Sequence, residues 1–204
     1  MNESDKTAYV SKYNKRFEQF GNDPRTLGWG GGASRQDLRF KSLTEIGVGP
    51  QDSVADIGCG FGDMYSYLQK QGYSGHYCGI DINPLLVEEA QKQHQSATFR
   101  CQDILETPVE ETYDWVLASG VFNAKLKHED HMAYVLNMIA NMYKVANKGV
   151  AIDFMTTYVD YQQEGSFHLN PAEAIKISKL HSRYGVVRMD YLPYEFALYI
   201  FKKD

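Results

Sequence analysis

The chain has 204 residues, of which 43% are apolar and 23% charged, and its formal net charge is −5. This composition is typical of one globular α/β domain. The negative net charge argues against a nucleic-acid partner, because proteins bind nucleic acids through a broad basic surface. No run of about 18 apolar residues is present, so no membrane span is expected. Residues 1–6 lack the basic-then-apolar pattern of a secretory signal, and the three cysteines lack CxxC spacing, which favours a reducing, cytoplasmic location.

The first predicted unit is an N-terminal helical extension, residues 1–48. Tyr13, Phe17 and Phe20 follow helical spacing, and a second helix is predicted over 34–46 with Ser34 as its N-cap. The glycine-rich loop between the helices carries Trp29. We predict that this extension covers a pocket as a lid; the alternative is a pair of helices that only packs on the domain.

The remaining chain, residues 49–204, is predicted to form one globular unit in which strands alternate with helices. The predicted strands are 53–59, 76–82, 97–104, 113–122, 150–159, 186–192 and 196–201, and the predicted helices are 63–71, 84–94, 129–146 and 171–184. Such alternation is typical of a mostly parallel sheet with helices on both faces. The last two strands are too close in sequence for a parallel crossover and therefore predict an antiparallel hairpin.

The helix predicted over 129–146 carries an apolar, methionine-containing stripe. Its members are Met132, Val135, Leu136, Ile139, Met142 and Tyr143. The composition of the stripe resembles that of a binding groove. However, the next predicted element is a buried strand, which favours packing of the stripe in the core. Residues 147–149, an Asn-Lys-Gly sequence, are predicted to stop this helix.

Three glycines at every second position lie between the first predicted strand and the helix after it, in the run Asp56-Ile57-Gly58-Cys59-Gly60-Phe61-Gly62. Glycine allows positive φ and close approach of a ligand to the backbone. A dinucleotide motif would require glycine at position 63, where this chain has Asp63, and no GKS or GKT follows. The motif therefore argues against both a dinucleotide site and a nucleotide triphosphate P-loop.

This motif and the predicted hairpin resemble the class I S-adenosylmethionine-dependent methyltransferases, whose first motif is an acidic residue followed by G-x-G-x-G. The resemblance covers about residues 50–204. It implies a Rossmann-like, seven-stranded, mostly parallel sheet with a C-terminal antiparallel hairpin, and S-adenosyl-L-methionine as cofactor with S-adenosyl-L-homocysteine as product. It leaves the subfamily, the acceptor and the oligomeric state open.

The resemblance also assigns cofactor-binding residues. Asp81 ends the second strand, where the family places an acid on the ribose hydroxyls, and Asp103 ends the third, where an acid accepts from the adenine amino group. Arg39 is a candidate partner for the cofactor carboxylate. The alternative is that Arg39 is an ordinary surface arginine and that Trp29 only anchors the loop by packing. The predicted set is Asp56, Gly58, Cys59, Gly60, Gly62, Asp81, Ile82, Asp103, Ile104, Ser119, Trp29 and Arg39.

Catalytic residues are less sharply indicated, because methyl transfer to a good nucleophile is an in-line displacement that needs no compulsory base. If one acts, the candidates near strand ends and loops are Asn123, Tyr158, Asp160, His168, Tyr194 and Glu195. No N-P-P-Y sequence follows the fourth strand, which argues against DNA adenine and protein glutamine acceptors in this family.

A metal site is not predicted. His128 and His131 lack a third ligand nearby and are interpreted as a solvated helix start. The cysteines Cys59, Cys78 and Cys101 lie in or beside apolar runs and are interpreted as buried thiols rather than metal ligands.

Three functions remain open at this point. The first is a methyltransferase that acts on a small molecule at oxygen, nitrogen or carbon. The second is an enzyme of the same fold that cleaves or cyclises S-adenosylmethionine. The third is a non-catalytic protein that binds S-adenosylmethionine, because a motif establishes binding better than it establishes catalysis.

Overall fold

A computed structural model of the chain describes residues 1–28 and 33–203, apart from the side chain of Ala33; Trp29 lies outside the described residues. In chain order the elements are α1 (Glu3–Phe20), α2 (Ala33–Thr44), β1 (Val54–Ile57), α3 (Asp63–Lys70), β2 (Tyr77–Asp81), α4 (Pro84–Gln93), β3 (Thr98–Cys101), β4 (Tyr113–Ala118), α5 (His131–Val145), β5 (Ala146–Met155), α6 (Pro171–Lys179), β6 (Gly185–Arg188) and β7 (Glu195–Phe201).

The seven strands form one sheet in the order β3-β2-β1-β4-β5-β7-β6. Strands β1 to β5 pair in parallel, whereas β7 is antiparallel to both β5 and β6. The last strand is therefore inserted between the fifth and sixth strands. This topology confirms the predicted fold class, including the C-terminal antiparallel hairpin.

Helices cover both faces of the sheet because successive strand residues point to opposite sides. On one face α5 and α6 pack on residues such as Ile57 and Ile152, and on the other α2, α3 and α4 pack on residues such as Val54 and Ala151. The stripe on α5 is largely core, as predicted, with Met142 fully buried. Parallel strands that are buried on both faces explain why the sequence shows continuous apolar runs here.

Helix α5 passes into β5 without a loop, which corrects the predicted stop at 147–149. Val145 is the last helical residue and Ala146 the first residue of the strand. The register between β4 and β5 shifts between Tyr113 and Trp115, a β-bulge at which Asn147 and Lys148 are both exposed. The polar sequence that resembles a turn is thus an irregular piece of strand.

Other element boundaries also differ from the prediction. Helix α2 begins at Ala33, so Ser34 lies in its first turn and is not its N-cap. Strand β4 ends at Ala118 rather than at residue 122, although Phe122 is buried, because a loop at this edge also packs apolar side chains inward. Strand β5 ends at Met155, before Tyr158, and six residues rather than three separate β6 from β7. Cys101 is exposed, contrary to its interpretation as a buried thiol.

Helix α1 lies across the edge of the sheet at which the parallel strands end. The carboxylate of Asp5 accepts hydrogen bonds from the backbone nitrogens of Lys127 and His128, both at 3.0 Å. Further along, the Tyr9 hydroxyl donates to the carbonyl of Ala124 at 2.7 Å. Asn14 accepts from Asn83 at 2.9 Å, and the ring of Phe17 lies 5.9 Å from that of Phe61. The helix therefore connects the loop after β4 with the loops after β1 and β2.

In the described part of the chain, none of the helices has both the length and the apolar character that crossing a bilayer requires.

Candidate active site

A cavity of about 600 Å³ lies beneath α1, at the carboxyl ends of β1 to β4. Its floor contains Gly58 and Gly60 from the glycine motif, and its roof contains Tyr9, Tyr13 and other residues of α1. Open α/β sheets bind ligands at this edge, and the volume is within the range of about 300 to 1,000 Å³ that is usual for small-molecule sites.

The glycine motif has the backbone geometry that only glycine adopts easily. Gly58, Gly60 and Gly62 have φ values of 75°, 54° and 79°. A Cβ atom on Gly58 would lie 2.5 Å from Cγ2 of Val121, which lines the cavity. A Cβ atom on Gly62 would instead meet the ring of Phe99 at 2.8 Å. The first two glycines thus open the cavity, and the third allows the loop to pack on the core.

Asp81 presents its carboxylate to the cavity from the end of β2. Its Oδ2 accepts from the backbone nitrogen of Gly60 at 3.0 Å and its Oδ1 from that of Asn83 at 2.9 Å. Burial raises the pKa of Asp81, although these backbone donors oppose the shift. The side chain is therefore fixed in orientation by the glycine loop, with remaining lone pairs for a hydroxyl-bearing ligand.

Asp56, Cys59 and Gly62 lie behind the cavity wall rather than in it. Asp56 is 3% exposed and accepts a hydrogen bond from the Tyr77 hydroxyl at 2.6 Å. Burial raises the pKa of Asp56 to about 7, with Tyr77 opposing the shift. The acidic residue of the motif therefore supports the first strand end from within the core.

The end of β3 contributes Asp103 and Ile104 to the cavity, and the end of β2 contributes Ile82. The Oδ1 of Asp103 accepts from the backbone nitrogen of Leu105 at 2.9 Å. Its Oδ2 accepts from the amino group of Met1 at 3.3 Å and lies 3.9 Å from Nζ of Lys6. An acceptor beside an apolar side chain suits a flat, amine-bearing ring.

Ser119 and Gly120, at the end of β4, line the cavity and bind a buried carboxylate that the sequence analysis did not identify. The Ser119 hydroxyl and the Gly120 backbone nitrogen each donate to Asp153 at 2.6 Å. Burial raises the pKa of Asp153 to about 6, against the opposing effect of the nearby Arg39. Asp153 lies inside a predicted strand, where no motif distinguishes it from any other strand residue.

Arg39 lines the cavity, but its guanidinium already has a partner. Its Nε and Nη2 donate to the two carboxylate oxygens of Glu195, which is buried at the start of β7. A cofactor carboxylate that binds Arg39, as predicted, would therefore have to displace Glu195 or share the guanidinium with it.

Of the catalytic candidates, only Asn123 lines the cavity. Tyr158 and Tyr194 are exposed, and Tyr194 donates to Asp160 at 3.4 Å. His168 is half-buried outside the cavity wall. Its Nδ1 lies 2.8 Å from the carbonyl of Thr156, so Nδ1 carries the proton, and its buried Nε2 has no hydrogen-bond partner within the described residues.

The segment 128–131 is a helix start, but it is not uniformly solvated as predicted. Asp130 caps α5 by accepting from the backbone nitrogen of Met132 at 2.9 Å. His131 is buried, and its Nδ1 accepts from the backbone nitrogen of Leu126 at 3.1 Å. Over residues 1–28 and 33–203, no three His, Cys, Asp or Glu side chains come together as metal ligands.

The side chains that form the roof of the cavity were not among the predicted site residues, although a lid was predicted over residues 1–48. Tyr9, Lys12, Tyr13 and Arg16 all line it from one side of α1. Their spacing of three and four residues is a helical signal, yet it is polar and aromatic rather than apolar, so a search for core stripes passes over it.

A family model described as a methyltransferase domain matches residues 54–149, from β1 to the start of β5. The chain is 27% identical over 161 residues to the proposed methyltransferase Rv1506c of Mycobacterium tuberculosis, a match that covers 74% of this chain and 93% of that protein. It is 24% identical over 108 residues to trans-aconitate 2-methyltransferase of Escherichia coli, covering 53% of this chain and 43% of that enzyme.

Among solved structures, the magnesium protoporphyrin IX methyltransferase ChlM from Synechocystis PCC 6803 with bound SAM has a TM-score of 0.68 at 20% identity. The superposition covers 98% of this chain and 97% of that one, which supports the fold over its whole length. Sheet order, glycine motif and matched family model agree: residues 54–149 match a methyltransferase domain, and the chain has the fold of the S-adenosylmethionine-dependent methyltransferases.

Proposed function

We propose that this methyltransferase acts on a small-molecule acceptor that binds in the cavity beneath α1. The observation that carries the proposal is the roof: α1 is fixed over the strand ends at Asp5, Tyr9 and Asn14, which leaves about 600 Å³ below it. The cofactor and a small acceptor fit such a space, whereas a folded macromolecule does not. The relatives named for trans-aconitate and magnesium protoporphyrin IX support a small acceptor.

In this proposal residues 49–204 form the catalytic unit and residues 1–48 its lid. Asp81 would accept from the ribose hydroxyls, and Asp103 with Ile104 would hold the adenine. Gly58 and Gly60 would admit the cofactor to the backbone, and the region of Ser119 would contact its methionine part. When bound, S-adenosylmethionine supplies a methyl group on a positively charged sulfur, and that sulfur leaves readily as a neutral thioether.

The contribution of the protein to the reaction would be positioning and exclusion of water. The acceptor atom has to lie in line with the carbon–sulfur bond, and α1 with the loop after β4 would hold it there. Asn123 faces the cavity and offers an amide that can donate to or accept from the acceptor. It does not titrate, so we assign it orientation of the acceptor rather than proton removal.

The cofactor site is tested by calorimetric titration with S-adenosylmethionine and S-adenosylhomocysteine. We expect micromolar binding of both, and a loss of about 10- to 100-fold in Asp81→Ala, because hydrogen bonds to a carboxylate contribute about 1.5–3 kcal/mol. Asp37→Ala, an exposed carboxylate on α2 outside the cavity, is the matched control and should bind normally. Equal affinity in the two variants would contradict the assigned ribose site.

The class of acceptor is tested separately with a cell extract divided by ultrafiltration into small molecules and macromolecules. We expect formation of S-adenosylhomocysteine to follow the small-molecule fraction and to require the enzyme. Turnover with the macromolecular fraction alone would overturn the proposed acceptor class while leaving the cofactor site intact.

A further inference from the structure

Two cationic side chains of α1 face the cavity one helical turn apart. Lys12 and Arg16 both line it, and they flank the same ring. The Nζ atom of Lys12 lies 5.7 Å, and the guanidinium carbon of Arg16 5.9 Å, from the ring centroid of Tyr13. The two charges are therefore grouped around one aromatic ring of the roof.

Neither cation has an anionic partner in the part of the chain that the structure describes: no carboxylate oxygen lies within 4.0 Å of either. The other charges of the cavity wall are mostly engaged. Asp81 accepts from two backbone nitrogens, and Arg39 is bound to Glu195. Glu164 also lines the cavity but forms no ion pair with Lys12 or Arg16.

The two like charges repel each other, although Lys12 is partly exposed to water and Arg16 is half-buried. Like charges at positions i and i+4 of a helix destabilise it. The pKa of Lys12 is lowered, first by burial and then by the charge of Arg16. An anion between the two side chains would relieve the repulsion, and arginine binds carboxylate and phosphate oxygens in bidentate fashion.

The pair extends along the roof of the cavity: Lys12 lies one turn after Tyr9, and Arg16 lies beside Gly28, whose neighbour Leu27 packs at Gly60. Lys12 and Arg16 lie three and seven residues after Tyr9, on the side of α1 that contacts Ala124. The opposite side carries Asn14, which contacts Asn83 near the expected ribose site.

The loop 163–166 is tied to the end of the cavity at which Tyr9 contacts Ala124. Lys125 donates its backbone nitrogen to the carbonyl of Gly165 at 2.8 Å, and Phe167 donates its own to that of Asn123 at 2.9 Å. Gly165 and Asn123 line the cavity together with α1. This end is therefore enclosed by α1 and by two loops that are bonded to each other.

We propose that Lys12 and Arg16 form a subsite for an anionic group, a carboxylate or a phosphate, on the methyl acceptor. The inference rests on the proposed function and specifies its substrate class. The competing assignment is the carboxylate of the cofactor, which the experiment separates from the acceptor.

The test uses inorganic phosphate and malonate as probes, each titrated at constant ionic strength into protein saturated with S-adenosylhomocysteine. The variants are Lys12→Gln and Arg16→Gln, and Lys15→Gln is the matched control because this exposed lysine of α1 lies outside the cavity wall. We expect at least one probe to bind wild type and control, with about tenfold weaker binding in each test variant and S-adenosylhomocysteine affinity within twofold of wild type. The probe that binds more tightly identifies the acceptor group as phosphate or carboxylate.

Equal probe affinity in all variants, or no probe binding to the wild type, would overturn the subsite. A tenfold loss of S-adenosylhomocysteine affinity in Lys12→Gln or Arg16→Gln would assign the cations to the cofactor and overturn it as well. If the wild type fails to bind S-adenosylhomocysteine, the proposed function fails, and the same titrations on the protein alone still decide the subsite.

Discussion

Identical residue types at neighbouring strand ends serve different purposes in this protein. Asp81 is the last residue of β2 and Asp56 the last but one of β1, yet Asp81 lines the cavity and Asp56 is enclosed behind it with Tyr77. The difference arises from position along the strands, since Asp56 pairs with Gly79 and Asp81 lies two residues further toward the edge of the sheet that holds the cavity. The acid of the glycine motif is thus a buried group whose ionisation opposes folding.

Asp56 should make stability depend on pH in a defined window. Its folded pKa of about 7 lies above the usual value of 3.8, so the unfolded chain releases this proton first. The contribution of Asp56 is therefore most favourable below about pH 4 and is lost as the pH rises toward 7. We expect Asp56→Asn, which keeps an acceptor for Tyr77, to gain roughly 1–3 kcal/mol over wild type between pH 5 and 8.

Urea unfolding of the ligand-free wild type and Asp56→Asn at about pH 5 and pH 8 measures this difference in the free energy of unfolding. Asp37→Asn, an exposed carboxyl on α2, serves as the control and should follow the wild type. Parallel pH profiles for Asp56→Asn and wild type would show that Asp56 ionises normally in the fold.

The buried ion pair of Arg39 and Glu195 should show strong coupling. Arg39→Gln leaves the carboxylates of Glu195 and Asp153 buried without this cation, a change that typically loses about 3–5 kcal/mol. We expect the double variant Arg39→Gln with Glu195→Gln to lose less than the sum of the single losses. Chemical unfolding of the four proteins in a double-mutant cycle measures the coupling.

The exposed bidentate pair of Arg100 and Glu111 provides the reference cycle. Exposed pairs contribute about 0–1 kcal/mol, so its coupling should be small. Equal coupling in the two cycles would mean that water screens the Arg39 pair as well.

At the scale of elements, the loop from β1 to α3 and helix α1 control the cavity from below and above. The loop depends on glycine for two reasons: its backbone has positive φ, and a Cβ atom would clash with a neighbouring side chain. Substitutions at two different glycines can separate these effects. The helix depends on a few polar contacts rather than on a large apolar face, since among its residues only Asp5 is fully buried.

Gly58→Ala should destabilise the protein more than Gly72→Ala, although the two substitutions impose similar backbone strain. Gly58 and Gly72 have similar φ values, 75° and 82°, but nothing lies within 4 Å of a Cβ atom on Gly72. Gly72→Ala should therefore lose only about 1–2 kcal/mol from the left-handed conformation. Gly58→Ala adds the clash with Val121 and should also abolish binding of S-adenosylhomocysteine, as calorimetry and unfolding would show. Similar stability and binding in the two variants would exclude close approach at Gly58.

Asp5→Ala should loosen α1 without unfolding the domain, because it removes the two backbone hydrogen bonds from Lys127 and His128. We expect faster hydrogen exchange in α1 and dissociation of S-adenosylhomocysteine that is faster by roughly tenfold, the equivalent of about 1.4 kcal/mol. Glu3→Ala, an exposed acid in the same turn, is the control. An unchanged dissociation rate would mean that α1 does not retain the cofactor.

At the scale of the whole molecule, the sequence predicts what depends on periodicity and misses what depends on distant contacts. Strand alternation, the glycine motif and the closing hairpin are local patterns, and the sheet confirms all three. The roof of the cavity, the buried Asp153 and the Arg39–Glu195 pair join residues far apart in the chain. No spacing rule indicates such pairs, because they form only when β7 has joined the sheet and α1 and α2 pack on it.

The bulge at Asn147 and Lys148 has a consequence for the geometry of the site. Tyr113 pairs with Ala146 and Trp115 with Gly149, so β5 has one residue more than β4 between these two pairs. Because α5 leads into β5 without a loop, this extra residue is taken up immediately after the helix, before the strand reaches the site. Deleting Asn147 or Lys148 alone should therefore remove the bulge and keep Asp153 beside Ser119, whereas a deletion between Gly149 and Asp153 would turn Asp153 to the other face of the sheet.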